Sequence, residues 1–421
     1  MSGPGDGPAP PVDAGRVLAD LADLAALTGG PEGARRVCWT SEWEAARDLL
    51  RNRLAAIGID ATEVDEAGNL WARLPGADRG APALALGSHL DSVPAGGPLD
   101  GALGVIAALG VLRAWAESDR EPPRDLVLID FADEEGSRFG RSLFGSSALA
   151  GTLDPAALRD LEDADGNAIG DVLAGHGVDL DRAPAAHERI GGIGAWLELH
   201  IEQGPVLDAA GESCAAVSGC AGVERFRLDF AGQASHAGTT PMDQRRDAGL
   251  AAAATALAVE RIAREHGGVG TTGRIELEPG VITAVAGRAE LSVDLRHPDA
   301  DRLEAMHAAV RQAADVIAGS HSCKVSEQPV WRIAPIPFDR DLVGRAEAAV
   351  AAGGGRRTAM ASGALHDAAE LARVVPAAMV FAASVDGISH AREERSRDAD
   401  LTAAIGAFGE LTAAALAAPP R

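Results

Sequence analysis

The chain of 421 residues contains no tyrosine, so no chemistry here can run through a phenol. Lysine is nearly as scarce. Lys324 is the only one, which excludes a Walker-A phosphate loop, a Schiff-base lysine and a lysine nucleophile. Aromatic residues make up 3%, so the core must be built from Ala, Val, Leu and Ile. The four cysteines, Cys38, Cys214, Cys220 and Cys323, form no CxxC pair, which suggests neither a zinc ribbon nor a redox dithiol. Positive charge is short as well, with a formal net charge of −24. Such a surface repels phosphate backbones and argues against a nucleic-acid partner. An anionic substrate must then be drawn in by metal ions or a placed arginine. The leading "MSGPGDGPAPPVD" has no basic segment followed by an apolar one. It reads as a disordered leader over 1–13, not as a signal peptide. The Ala-rich run 248–259 is bounded by charges and too short to cross a bilayer. A soluble, cytoplasmic protein without a membrane partner is expected.

What is present is 47% apolar sequence, long enough for two or three domains. Helical spacing of Leu, Ala and Val covers 14–29 and 41–57. Two short strands flank the Gly-Asn turn within 58–76. Buried strands are expected at 83–88 and 125–132, with a helix at 104–117 between them, and another strand at 195–204. This alternation implies an α/β layer with a mixed, mostly parallel sheet. The texture changes near 213. An alternating strand (222–233), a helix (243–265), strands at 268–277 and 288–296, a helix (299–318) and the strand "CKVSEQPVW" follow. That β-α-β-β-α-β order describes an α+β domain over 214–331. A helix in "LHDAAELARVV" and a buried strand at 377–384 then resume the first texture. The small domain is thus an insertion, and 14–213 with 332–421 forms one discontinuous domain.

Five segments bring His, Asp or Glu to the carboxyl ends of the buried strands, where open α/β sheets bind their ligands. They carry His89, Asp100, the pair Glu134-Glu135, His200 and His390. Singly, each is more often a satisfied polar group, a solvated turn or a helix cap. Their joint arrival at one edge favours a metal site. Imidazole with carboxylate suits zinc, or manganese and cobalt, and a third histidine suggests two ions. Two close cations need a bridging carboxylate. Asp100 can bridge, with His89 and His200 on one ion, and Glu135 and His390 on the other. Asp91 can orient the His89 ring. Glu134 stays unligated and can take a proton from the attacking water.

The motifs "GSHLDSVPAGGPLDGALGV", "DEEGSRFG", "LELHIEQGPVL", "GQASHAGTTPMDQRRDA", "VDLRHPD", "SGALHDA" and "GISH" follow one another in this order. Over roughly 15–415 the chain resembles the hydantoinase/carbamoylase branch of the M20 metallopeptidase-like amidohydrolases. That branch includes N-carbamoyl-L-amino-acid hydrolases, β-ureidopropionases and allantoate amidohydrolases. The resemblance implies a di-metal catalytic domain and an inserted lid through which two chains dimerise. It also implies hydrolysis of a C–N bond in a carboxylate-bearing ureido substrate. By matching motifs it makes His89, Asp100, Glu135, His200 and His390 the ligands of two divalent ions, zinc first, with manganese or cobalt as alternatives. Glu134 is then the general base, with Asp91 beside it. His236 matches the histidine that reaches the partner's site and stabilises the oxyanion, and Arg296 the clamp for the substrate carboxylate. Gln203 of "HIEQGP", and Ser362, Gly363 and His366 of "SGALHDA", fall among the substrate contacts.

The chain departs from the family where substrate would be held. Thr283 stands in place of an asparagine, Ala286 of a proline and Leu365 of a glycine, and Ala391-Arg392 replaces Asn-Pro. The expected activity is that of an N-carbamoyl-amino-acid amidohydrolase. The alternatives are an M20 aminoacylase or dipeptidase and, in another class, a non-catalytic metal-binding homodimer.

Overall fold

The computed structural model describes residues 9–419. The chain divides into two compact units, one running to Ser218 and resuming at Phe338, the other spanning Gly219–Pro337. The leader expected over 1–13 lies outside the described residues up to residue 8. Beyond it, Ala9 and Val12 pack against the core, and the Asp13 carboxylate caps the helix Ala14–Thr28 by accepting from Arg16 N at 3.1 Å. Apolar contact and a capping bond hold residues 9–13, against the expectation of disorder.

In the larger unit, four buried segments with no polar alternation pair in parallel, in the order 377–382, 193–201, 83–89, 126–131. Strands buried on both faces read as continuous apolar runs. Antiparallel strands close both flanks, Cys214–Cys220 on one side and Leu70–Leu74 with Thr62–Val64 on the other. The sheet is therefore mixed, as expected, but not mostly parallel, because the strands on both flanks pair antiparallel. Residues 214–218 belong to it, because Cys214–Val217 pairs with the strand Ala377–Ala382. The expected domain boundary at 214 falls too early for that reason, and the return boundary moves to 338 because the strand expected to end near 331 runs on to Ile333.

The helix Ala102–Ala116 lies directly on this sheet. A Cβ at Gly104 would stand 2.4 Å from the Leu199 carbonyl oxygen, so only glycine permits that approach. The helix Asp398–Leu416 had no counterpart among the expected elements. It is long and apolar enough to cross a membrane by length and composition, yet Leu401, Ile405, Phe408 and Leu411 are buried in the core. Helices at Phe144–Ala150, Ile169–Gly175 and Arg340–Ala352 were also unforeseen. The helix expected in "LHDAAELARVV" shrinks to Asp367–Leu371.

The smaller unit has the β-α-β-β-α-β order. Gly222–Ala231, Arg288–His297 and Lys324–Ile333 form an antiparallel sheet. Phe226, Leu228, Phe230, Leu291 and Val293 of that sheet pack with residues of the helices Ala248–His266 and Ala300–Ser320. Two expectations change here. The first helix starts at 248 because the Asp247 carboxylate caps it on Leu250 N. The strand expected over 268–277 is broken into Val269–Thr271 and Ile275–Glu278.

One buried ion pair locks the larger unit behind its carboxyl edge. Arg47 Nε meets Asp130 Oδ2 at 2.7 Å with both side chains buried. Arg47 also donates to the Gly68 carbonyl, and Asp130 Oδ1 accepts from Leu90 N. Removing one partner strands the other's charge, so Arg47→Ala should cost about 3–5 kcal/mol. Urea unfolding followed by tryptophan fluorescence measures this, since Trp39, Trp43, Trp71, Trp115 and Trp196 lie in this unit. A loss under about 1 kcal/mol would contradict the assignment.

Candidate metal centre

The strand Ala83–His89 ends in His89, and Ile193–Ile201 carries His200 next to its last residue. Asp100 closes the loop before the helix Ala102–Ala116. Gly101 begins that helix at φ 64°, and a Cβ there would meet the His89 ring at 2.3 Å. Glycine is what lets the loop fold over the histidine. Asp100 is the hub of the cluster. Its Oδ1 lies 3.2 Å from His200 Nε2 and 3.9 Å from His89 Nε2, and its Oδ2 lies 3.3 Å from His390 Nε2. Glu135 Oε2 lies 3.5 Å from the same His390 nitrogen. Two triads with ligand atoms in mutual reach result, His89-Asp100-His200 and Asp100-Glu135-His390, sharing Asp100. The five groups read from sequence as ligands are brought together. Glu135 Oε1 is buried with no hydrogen-bond partner. An orphaned carboxylate oxygen among imidazoles fits a divalent cation.

A third histidine-carboxylate triad, Glu198-His200-His366, is a weaker candidate. Glu198 already accepts from Ser88 Oγ, Trp196 Nε1 and Ala368 N. His366 is buried 4.4 Å, ring to ring, from His200, with Nε2 3.0 Å from Ser362 Oγ. Burial, and then His200, hold it well below the usual histidine range, so it stays neutral.

Protonation follows from the crowding of acids. Burial pushes the Glu134 carboxyl well above its usual range. It pushes Glu135 up to about 7, with Asp100 adding repulsion. Burial alone would raise Asp100, but His200 and His390 bring it well below the ordinary value. Its hydrogen bond to Asp100 raises His390 to about 9. Such opposed shifts in one cleft are typical of functional sites.

Glu134 Oε2 sits 3.7 Å from His89 Nε2, beside the cluster and outside both Asp100 triads. Asp91 lies where it can orient the His89 ring, with Oδ1 3.5 Å from Nδ1, and it does more. His89 Nδ1 lies 3.1 Å from the Asp91 backbone oxygen, while the carboxylate accepts from the amides of Glu134 and Glu135 at 3.2 and 3.1 Å. Asp91 thus holds the loop as well as the ring. Gln203, expected against substrate, donates from Nε2 to Asp100 Oδ2 at 2.8 Å. In the smaller unit, Ser235–His236 pairs with Ala284–Val285, and Ala237 N donates to the Thr283 oxygen. His236 and Thr283 are therefore neighbours. Arg296 is on another strand, with Nε on Asp294 Oδ1 at 2.9 Å.

Residues 85–414 match the sequence profile of peptidase family M20/M25/M40. The chain belongs to this family. It is 37% identical over 391 residues to an N-carbamoyl-L-amino acid amidohydrolase of Geobacillus stearothermophilus, covering 93% of this chain and 94% of the relative. It is 33% identical to an allantoate amidohydrolase of Escherichia coli, covering 88% and 90%. The crystal structure of a hydantoinase/carbamoylase family amidase from Burkholderia multivorans superposes with a TM-score of 0.89 at 32% identity, covering 98% of this chain and all of that one. The chain thus falls in the hydantoinase/carbamoylase branch of the M20 family.

Two further residues beside Asp100 escaped the sequence reading. Ser389 Oγ lies 2.9 Å from Asp100 Oδ2 and 3.0 Å from Glu394 Oε2. Glu394 Oε1 accepts from the amides of Leu99 and Asp100. Their only signal was nearness to His390. Because Glu135 and His390 must lose protons to bind a cation, affinity should rise with pH across about 7 and about 9. Competition titration with Zn²⁺ at acidic, neutral and basic pH should show this rise. An affinity independent of pH would exclude these two as ligands.

Proposed function

We propose that this chain is a metal-dependent amidohydrolase that cleaves the C–N bond of an N-carbamoyl amino acid or related ureido acid. One arrangement carries the reading: a carboxylate shared between two ligand triads, with an unshared, proton-avid carboxyl beside it. His89, His200 and Asp100 would hold one divalent ion, and Asp100, Glu135 and His390 a second, zinc first, with manganese or cobalt as alternatives. Bound there, such ions supply Lewis acidity toward a carbonyl and make water a better nucleophile.

The chain's own groups do the remaining work. Glu134, buried and with its carboxyl raised, takes a proton from the attacking water and returns it to the departing nitrogen. Asp91 fixes the amides on either side of that side chain. Arg296 clamps the substrate carboxylate with paired hydrogen bonds that lysine cannot match. Ser362, Gly363, His366 and Gln203 complete the contacts. His236 reaches the site of a second copy, so the working form is a homodimer joined through the smaller unit. Support for that comes from Leu257 on one of that unit's helices and Val316 on the other, 71% and 67% exposed. A cytoplasmic setting is part of the proposal, supported by four cysteines, three of them buried and none in a disulfide.

Products separate this reading from an aminoacylase or dipeptidase: ammonia and carbon dioxide against a carboxylic acid. Glu134→Gln should retain metal while kcat falls by about 10²–10⁴. Near-normal turnover in that variant would move the base elsewhere. Mixing inactive His236→Ala and Glu134→Gln chains should restore part of the activity, because one site in each heterodimer is then complete. No recovery despite subunit exchange would place His236 in its own chain's site.

A further inference from the structure

Three non-glycine residues around the Glu134 loop adopt left-handed backbone: Trp39 at φ 63°, Asp133 at φ 55° and Leu143 at φ 61°. Such conformations persist only where the surroundings over-determine them, and they point to function. The loop is bonded on both sides. The amides of Leu143, Phe144 and Gly145 donate to the carbonyls of Glu134, Asp133 and Ala132 at 2.7, 3.1 and 2.8 Å. The Asp91 carboxylate holds the amides of Glu134 and Glu135. Between these fences the chain turns at Asp133, whose carboxylate accepts from Trp39 Nε1 at 3.3 Å.

Trp39 is itself immobilised. Its ring packs among Trp43, Phe144 and His176, with centroids 5.0–6.0 Å away. Its carbonyl accepts from Arg138 Nη1 at 2.6 Å. Packing of that kind needs only a large ring. The indole N–H is spent on Asp133, one residue before Glu134.

We infer that Trp39 and Asp133 are positioning residues for Glu134, the Trp39 N–H pinning the left-handed turn that directs the Glu134 carboxyl toward His89. This rests on Glu134 acting in ureido hydrolysis. Neither residue stands among the ligand groups, so their loss should spare metal content. A base displaced by about an ångström can cost about 10²-fold.

Three variants and two readouts test the inference. Trp39→Phe keeps the ring and removes the N–H. Asp133→Gly accepts the turn and removes the acceptor. Asp133→Asn keeps both, since asparagine tolerates left-handed backbone. The first two should lower kcat by about 10–10²-fold with KM within about threefold. Their metal content should be unchanged, and hydrogen exchange at the amides of 133–135 should be faster. Asp133→Asn should stay within about threefold of the parent. If Trp39→Phe does not fold, the glycine and asparagine variants carry the comparison. Full kcat in Asp133→Gly, or exchange at 133–135 unchanged in both disruptive variants, overturns the inference. A parent enzyme inert on every ureido substrate would instead sink the ureido reading, and the exchange comparison would still decide the role of Trp39.

Discussion

The architecture depends on concentrating carboxylates at one dry edge of a sheet. Asp91, Asp100, Glu134, Glu135 and Glu394 gather there, four of them under 10% exposed. Isolated buried charge of that density would not persist. Histidines, Ser389 and Gln203 surround the Asp100 carboxylate, and the acids left without a cation to face are driven toward protonation. The balance favours a group of concentrated positive charge. A net charge of −24 does not oppose such a group, because the acids that face it are close and the remaining charge is diffuse.

The rest of the larger unit makes that edge rigid. Parallel strands buried on both faces deliver His89, His200 and the acid pair from one direction. Gly104 lets the neighbouring helix sit on the sheet, and Gly101 lets Asp100 close over His89. Behind them, Arg47 with Asp130 braces the strand that leads into the acid pair. Asp91 serves two neighbours, ring and loop, and so ties the His89 ring to the Glu134 loop.

The smaller unit shows another balance. One face of its sheet is packed by helices, while the other carries a ladder of charge in which Asp294 meets both Arg225 and Arg296. Pairing of His236 with Ala284 and a bond from Ala237 N to the Thr283 oxygen bring His236 and Thr283 together, although the two segments are far apart in the chain. Two of the departures from the family, Thr283 and Ala286, lie in this unit, while Leu365 and Ala391-Arg392 lie in the larger one.

The sequence by itself determined the layer order, the inserted α+β unit and the five groups that meet at one edge, because unbroken apolar runs mark buried parallel strands and polar residues at their ends can face only one edge. Motif order carried the family. Tertiary structure alone decided where carboxylates spend their hydrogen bonds. Asp91 turned to the amides of Glu134 and Glu135, Gln203 turned to Asp100, and Glu394 came beneath the metal loop, for a side chain's partners are chosen by packing and not by spacing. The helix Arg340–Ala352 does carry a buried stripe at helical spacing, Leu342, Ala346, Ala349 and Val350, which the sequence reading passed over, whereas the C-terminal helix was illegible for a related reason. Alanine-rich segments buried on many sides show no contrast between faces, and only the neighbours that cover them make them helices of the core.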